Sequence, residues 1–109
     1  METRKLSEMI NGWFVGAFEP TALSTKTCEV ALKYYKKGDN ELKHYHMIAT
    51  EITLIVSGEV IMFDKVWKEK DIIKIFPGES TAFEAITDAI TVVVKIPGAL
   101  NDKYISCNE

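Results

Sequence analysis

The sequence predicts an all-β domain, either a β-sandwich or a β-barrel, and two observations support this prediction. Short runs of apolar and β-branched residues recur along the chain, and nearly every run is followed by a turn signal containing Gly, Pro, Asp or Asn. No apolar pattern with a helical period of useful length occurs after residue 11. Many short strands at this spacing are typical of two packed antiparallel sheets.

The individual elements follow from the same signals. Leu6, Met9 and Ile10 have helical spacing and predict a short helix within residues 2–11. Strands are predicted at residues 13–15, 28–35, 42–47, 51–56, 60–63, 71–75, 81–85 and 90–96. Turns are predicted at residues 38–40, 57–58, 64–65, 77–78, 87–88 and 97–98. The charged stretch 64–71 is predicted to form a solvated hairpin with Trp67 as its apolar anchor.

Length and composition limit the class of protein. The chain has 109 residues, 47% hydrophobic and 27% charged, as is ordinary for a globular protein. We expect one domain over residues 1–109, with a core at about 28–96 and an N-terminal extension at 1–27. The net charge is −3 and the longest basic run is Lys36-Lys37, which argues against nucleic-acid binding.

The compartment is predicted from what the sequence lacks. No apolar run is long enough to cross a bilayer, and the polar N-terminus does not resemble a signal peptide. We therefore expect a cytoplasmic protein that does not bind membranes. A disulfide between Cys28 and Cys107 is not expected in that reducing compartment.

The strongest functional signal lies in residues 38–58. His44 and His46 are separated by one residue, so a strand would project both imidazoles from one face. Glu51 follows five residues later, and a turn or bulge near residues 49–50 would return it to the histidines. Two imidazoles and one carboxylate are suitable ligands for a divalent metal ion.

The same segment resembles a known family. Gly38, His44, His46, Glu51 and Gly58 match the residues and the spacing of the first cupin motif. The chain resembles the cupins over about residues 28–96, and in particular their small bacterial members. The resemblance implies a double-stranded β-helix, or jelly-roll barrel, commonly a homodimer. It also implies Fe, Mn, Ni or Zn bound by the two histidines and the glutamate, with another histidine from a second motif.

The second cupin motif is only partly matched. Residues 71–75 match its strand and Gly78 matches its second glycine. The leading glycine, the first proline, the histidine and the asparagine are replaced by Lys70, Phe76, Thr81 and Ala85. Threonine is a poor ligand for these metals because its hydroxyl is neutral. The remaining two-histidine, one-carboxylate set still corresponds to the triad that holds non-haem Fe(II) with open positions.

Strand parity predicts what surrounds the histidines. Thr53 shares the face of Glu51, and Phe83 shares the face of Thr81, so Thr53, Thr81 and Phe83 are expected to line a ligand pocket. Glu84 has the opposite parity and is expected to point outward, whereas Glu79 lies in a turn and is an alternative carboxylate ligand. Such a mixed interior suits a small polar molecule, and sugars, hydroxy acids and keto acids fit equally well.

Two classes of function remain open from the sequence. The first is a metal-dependent cupin enzyme, an oxygenase or isomerase, with a metal held by His44, His46 and Glu51. The alternative is a metal-free ligand-binding or carbohydrate-sensing accessory cupin without catalysis. A variant of the first is metal-free epimerase chemistry, with a histidine as base and Tyr34 or Tyr35 as acid. Only one of these neighbouring tyrosines can face the barrel interior.

Overall fold

The computed structural model describes residues 1–106 and is built almost entirely of β-strands. A 3-10 turn at Leu6–Glu8 precedes ten strands: β1 (Trp13–Val15), β2 (Glu29–Tyr35), β3 (Asn40–Tyr45), β4 (Thr50–Ser57), β5 (Glu59–Met62), β6 (Lys65–Lys68), β7 (Ile72–Ile75), β8 (Thr81–Ala85), β9 (Ala89–Ile96) and β10 (Tyr104–Ile105). One antiparallel sheet has the order β1-β2-β9-β4-β7, and the other has the order β10-β3-β8-β5-β6. The predicted all-β jelly roll is therefore confirmed.

Three elements differ from the expectations: the N-terminal helix, β10, and β6, whose residues were expected only as part of the charged hairpin at 64–71. The predicted N-terminal helix is only the three-residue turn Leu6–Glu8, because the chain at Met9 already turns to an extended conformation. Strand β10 was not predicted, since its two residues have no apolar pattern and form a strand only by pairing with β3. Within residues 1–106, no helix is long and apolar enough to span a membrane. Cys107 lies outside the described residues.

The N-terminal segment is attached to the main sheet of its own chain. Trp13 pairs with Ala31 of β2, and the N–H of Leu32 donates to the carbonyl of Gly12. Gly12 has φ +82°, and a Cβ there would overlap the carbonyl oxygen of Leu32. Close approach of the two backbones therefore requires glycine. The aromatic side chain of Trp13 lines a cavity between the two sheets.

A hydrophobic cluster between the sheets closes one end of the barrel. Its buried members are Ile55, Val60, Met62, Ile73, Ile75, Phe83, Ala85 and Ala89. The Trp67 ring packs against this cluster and its indole N–H donates to the carbonyl of Met62, as expected for the anchor of the β5–β6 hairpin. Because Met62, Ile75 and Phe83 also line a cavity, the cluster forms the floor of that cavity.

The first position of the second motif differs from the cupin pattern in residue type but keeps a backbone conformation typical of glycine. Lys70 replaces the expected glycine, yet it has φ +76°. This left-handed conformation is maintained because the Lys70 N–H donates to the carbonyl of Ile55 at 2.8 Å. A left-handed conformation costs a residue with a Cβ about 1–2 kcal/mol. Lysine therefore occupies a position whose backbone still favours glycine.

We expect Lys70→Gly to raise the free energy of unfolding by about 0.5–1 kcal/mol, because relief of backbone strain exceeds the added chain entropy. The matched control is Lys68→Gly in β6, which is also exposed but has no positive φ. The control should lower stability by about 0.5–1 kcal/mol. Urea unfolding of the three proteins measures both effects, and equal destabilisation by the two substitutions would contradict the argument.

Candidate functional site

The candidate site is a cavity of about 240 Å³ between the two sheets. The six residues predicted from the sequence all line it: His44, His46, Glu51, Thr53, Thr81 and Phe83. Glu79 lines the same cavity, whereas Glu84 is exposed on the outer face of β8, as strand parity predicts. Of the two tyrosines, Tyr35 lines the cavity and Tyr34 is exposed.

A β-bulge in β3 sets which side chains enter the cavity. Glu41 pairs with Phe83 and His44 pairs with Thr81, so three steps along β3 match two steps along β8. In a regular strand, residues three apart face opposite sides of the sheet. The bulge instead places both Glu41 and His44 on the inner face. Simple alternation in the sequence could not predict the position of Glu41.

His46 is the most enclosed of the predicted ligands, at 5% exposed. It follows β3 directly, and its Nδ1 contacts the backbone carbonyl of Asp102. A carbonyl only accepts hydrogen bonds, so Nδ1 of His46 carries a proton. Nε2 lies 3.4 Å from Oε1 of Glu51 and has no hydrogen-bond partner within residues 1–106. A buried polar atom without a partner is uncommon and indicates a missing ligand or a proton.

His44 is held in a similar way at the more open side. Its Nδ1 lies 2.9 Å from the carbonyl of Leu42, and its ring centroid lies 5.4 Å from that of His46 at 80°. Burial lowers the pKa of His44, the bond to Leu42 opposes this, and the positive charge of Lys103 lowers the pKa further. The net direction is downward, so His44 is neutral at pH 7 and its Nε2 is an available lone-pair donor.

Glu51 is a buried carboxylate that remains ionised. Burial by itself raises its pKa, but His46, the charge of Lys95 and the hydroxyl of Thr53 outweigh burial and lower the pKa overall. Thr53 donates from Oγ1 to Oε2 at 3.2 Å, which leaves Oε1 directed at His46. Thr53 therefore orients the carboxylate, a role that strand parity alone did not reveal.

Asp102 stabilises the loop that contains His46. No pattern in the sequence predicts this function of Asp102. Its carboxylate accepts the backbone N–H groups of Met47, Ile48 and Ala49 at 3.0, 3.1 and 2.9 Å. Burial raises the pKa of Asp102, but these three hydrogen bonds lower it more, so the pKa lies below its ordinary value. One residue thus fixes both the loop backbone and the orientation of the His46 ring.

Thr81 occupies the position of the second-motif histidine, and its hydroxyl is used in hydrogen bonds to the backbone. Its Oγ1 accepts the N–H of Phe63 at 2.8 Å and donates to the carbonyl of Ala82 at 2.8 Å. Phe63 and Asp64 have φ +52° and +57°, as in the two-residue turn of a tight hairpin. The Thr81 hydroxyl therefore stabilises the β5–β6 turn. Phe83, beside it on β8, packs against the Tyr35 ring with centroids 4.4 Å apart.

Tyr35 supplies a phenol that stays protonated. Burial and the neighbouring negative charge of Glu41 raise the Tyr35 pKa well above its usual value. The hydroxyl donates to Oε2 of Glu41 at 3.3 Å. The cavity therefore contains a neutral hydrogen-bond donor, Tyr35, and a neutral imidazole, His44.

The residues present satisfy part of what a metal ion requires. Within residues 1–106, no three His, Cys, Asp or Glu side chains are arranged so that they could already hold a metal ion. The donor chemistry fits, because His44 and His46 each use Nδ1 on a backbone carbonyl, as metal-binding histidines usually do. The 3.4 Å between His46 Nε2 and Glu51 Oε1 also equals the separation of two ligands placed roughly 2.1 Å from one ion at a tetrahedral angle.

Comparison with solved structures identifies the fold. An uncharacterised double-stranded β-helix protein from Klebsiella pneumoniae is 21% identical, with TM-score 0.69 over 77% of this chain and 74% of that one. An RmlC-like cupin from Shewanella frigidimarina is 21% identical, with TM-score 0.62 over 72% of each chain. The DMSP lyase DddQ from Ruegeria pomeroyi is 18% identical, with TM-score 0.69 over 89% of this chain and 52% of that one.

The chain therefore has the cupin fold, the double-stranded β-helix. No protein-family model and no curated protein matches the sequence. Proteins with this fold perform many unrelated activities, so the function of this chain has to be argued from its own cavity.

We expect Asp102→Ala to lower the free energy of unfolding by about 2–4 kcal/mol at pH 7, because three N–H groups of the β3–β4 loop lose their acceptor. The control Asp88→Ala removes a carboxylate that accepts a single exposed backbone N–H, and it should cost less than about 1 kcal/mol.

The Asp102 effect has a defined pH dependence. A carboxylate whose folded pKa is lowered contributes stability above its unfolded pKa and loses it as the pH falls through the folded pKa. The difference between wild type and Asp102→Ala should therefore be largest above about pH 4 and shrink below 3.8, the ordinary Asp value. Urea unfolding at several pH values measures this, and a pH-independent difference would contradict the assignment.

Proposed function

We propose that this protein binds a small polar molecule in the barrel cavity at a divalent metal ion held by His44, His46 and Glu51. The observation that carries the proposal is that the two histidine rings are oriented in the same way. Each donates Nδ1–H to a backbone carbonyl, which leaves Nε2 as the nitrogen available to a metal ion, and both rings line the cavity that the ionised Glu51 also lines. Iron, manganese, nickel and zinc all accept this combination of ligands.

The remaining residues have distinct tasks in this proposal. Asp102 fixes the ring of His46, and Thr53 fixes the carboxylate of Glu51. The Tyr35 hydroxyl donates a hydrogen bond to Glu41, and the same oxygen can accept a hydrogen bond from the bound molecule. The metal ion would supply Lewis acidity and open coordination positions. With only three protein ligands, such a centre suits isomerisation, oxygenation or simple binding, and one of the similar structures is a lyase.

A second candidate is metal-free proton transfer, and the position of Tyr35 and His44 in one cavity favours it. The neutral imidazole of His44 is a proton acceptor. The raised pKa of Tyr35 makes its phenol a weak acid, so a bound molecule would have to lower that pKa before Tyr35 could donate its proton. A binding module without catalysis would use the same donors to recognise its ligand. A cytoplasmic location remains a prediction of the sequence alone.

The metal proposal predicts one transition-metal ion per chain. Chelator-treated protein titrated calorimetrically with Mn²⁺, Ni²⁺ and Zn²⁺ should bind one equivalent of at least one of them. His46→Ala should weaken binding by about 100-fold or more, because it removes the most enclosed ligand. Glu51→Gln should weaken binding as well, whereas Glu84→Gln, on the outer face of β8, should have no effect.

The outcomes separate the candidates. If none of the three ions binds the wild type, or if His46→Ala binds as well as the wild type, the metal proposal is wrong. Metal-free protein that still binds a small molecule, with binding lost in Tyr35→Phe or His44→Ala, would support the second candidate instead.

We also propose that the protein is a homodimer through the outer face of β4 and β7. Ile72 is 65% exposed and Phe76 is 53% exposed on β7 and at its end, and Val56 extends this apolar surface onto β4. Large exposed apolar surfaces usually mark interfaces.

The homodimer proposal predicts a sedimentation mass near twice 12.3 kDa for the wild type. Ile72→Glu should shift the mass to that of the monomer, because it places a charge in the centre of the apolar surface. The control is Ile10→Glu, at an exposed apolar residue of the N-terminal segment. A monomeric wild type would contradict the proposal.

A further inference from the structure

The cavity contains a group of cations that neither the cupin motif nor the proposed metal site uses. Lys33 of β2, Lys95 of β9 and Lys103 before β10 all line it. Lys33 and Lys95 are on the inner face of the β1-β2-β9-β4-β7 sheet. Lys103 immediately precedes β10, which is an edge strand of the opposite sheet. Lys33 and Lys95 are partly buried and Lys103 is exposed. Two partly buried lysines on the inner face of one sheet are unusual, because burial of an ammonium without a partner is costly.

The carboxylates of the cavity do not account for these cations. Glu41, Glu51 and Glu79 also line it, so the formal charges of the cavity balance. Each carboxylate, however, already has a donor or partner: Tyr35 for Glu41, Thr53 and His46 for Glu51, and the Phe76 N–H for Glu79. Lys95 lies beside Glu51 and Glu29 in the strand register.

The three ammonium groups, by contrast, have their donors free. None of them forms an ion pair or hydrogen bond with another of residues 1–106. The Nζ atoms of Lys33 and Lys95 lie 5.2 and 4.9 Å from the centre of the Trp13 ring, which gathers both cations at one place. Burial lowers the pKa of Lys33, and repulsion from Lys95 and Lys103 lowers it further, while Glu41 opposes the change.

We propose that Lys33, Lys95 and Lys103 form a carboxylate-binding subsite, so that the molecule bound in the cavity is a small organic acid. This inference rests on the proposed function, because it uses the same cavity, but it does not require the metal ion. The ligand's carboxylate contacts the lysines, and its uncharged part extends toward His44, His46 and Glu51.

A carboxylate fits this wall better than a phosphoryl group does. Phosphate sites usually add backbone N–H groups from a helix N-terminus or a glycine-rich turn. Lys33 and Lys95 instead lie within strands, where register pairing with Thr91, Glu29 and Glu51 occupies the backbone. The wall therefore offers separate ammonium donors, two of them held above the indole of Trp13, and no backbone N–H groups.

The test compares acids with uncharged molecules of the same shape. Chelator-treated, metal-free protein is titrated by NMR with lactate and lactamide, malonate and malonamide, and glucuronate and glucose, and with inorganic phosphate. Concentrations reach about 20 mM, which detects millimolar dissociation constants. At least one acid should bind about 10-fold or more tightly than its uncharged counterpart, and added NaCl should weaken acid binding only.

Variants of the lysines test whether the preference for acids over uncharged molecules arises at the proposed subsite. Lys33→Gln and Lys95→Gln should each weaken acid binding by about 10-fold and leave binding of the uncharged molecule unchanged. Lys33→Arg should retain the preference. Lys74→Gln is the matched control, since Lys74 is exposed on the outer face of β7 in the same sheet. Circular dichroism establishes that each variant is folded, and the salt dependence of the wild type tests the proposal without any variant.

The results distinguish this inference from the metal proposal. Acid binding to metal-free protein that depends on Lys33 and Lys95 supports the subsite even if no metal ion binds. Acid binding that appears only after metal loading and survives both Lys→Gln changes overturns the subsite while supporting the metal. Equal binding of acids and uncharged molecules, no binding of any acid, or a response to phosphate alone also overturns it.

Discussion

The contact on which the candidate site depends most is the one between Asp102 and the loop of residues 46–49. The carboxylate accepts three consecutive N–H groups of this loop, and the backbone carbonyl of the same residue accepts Nδ1–H of His46. These groups would otherwise be buried without partners, at a cost of about 1–3 kcal/mol each. Asp102 is 56 residues from His46 in sequence, so the geometry of the site exists only after the barrel has closed.

The titratable side chains of the cavity fall into two groups. Carboxylates and imidazoles form one group, in which most side chains have a hydrogen-bond partner. In the other group, the ammonium groups of Lys33 and Lys95 lie over Trp13, and Lys103 lines the same cavity. In the first group, Nδ1 of each histidine is held by a backbone carbonyl, so Nε2 is the nitrogen left for a ligand. The separation of the two groups also explains how a chain with a net charge of −3, and a cavity whose formal charges balance, can have a local preference for anions.

The sequence predicted the fold well because the barrel follows local rules. Alternating apolar residues and turn signals located eight of the ten strands, and strand parity correctly separated Glu84 from Thr81 and Phe83. Strand parity predicted which residues line the cavity only where the strands are regular. The inward position of Glu41 depends on a bulge, and the function of Asp102 depends on a distant loop. The convergence of Lys33, Lys95 and Lys103 depends on strand order, which no local pattern encodes.

The contact between Thr81 and Phe63 makes the departure from the second cupin motif difficult to reverse. The Thr81 hydroxyl supports a turn in which an aromatic residue has a positive φ. A histidine at this position would add a nitrogen to the cavity and remove the acceptor of the Phe63 N–H. Such a change would therefore require a different turn between β5 and β6, such as Asn-Gly. The lining of the cavity and the geometry of the hairpin thus depend on the same side chain.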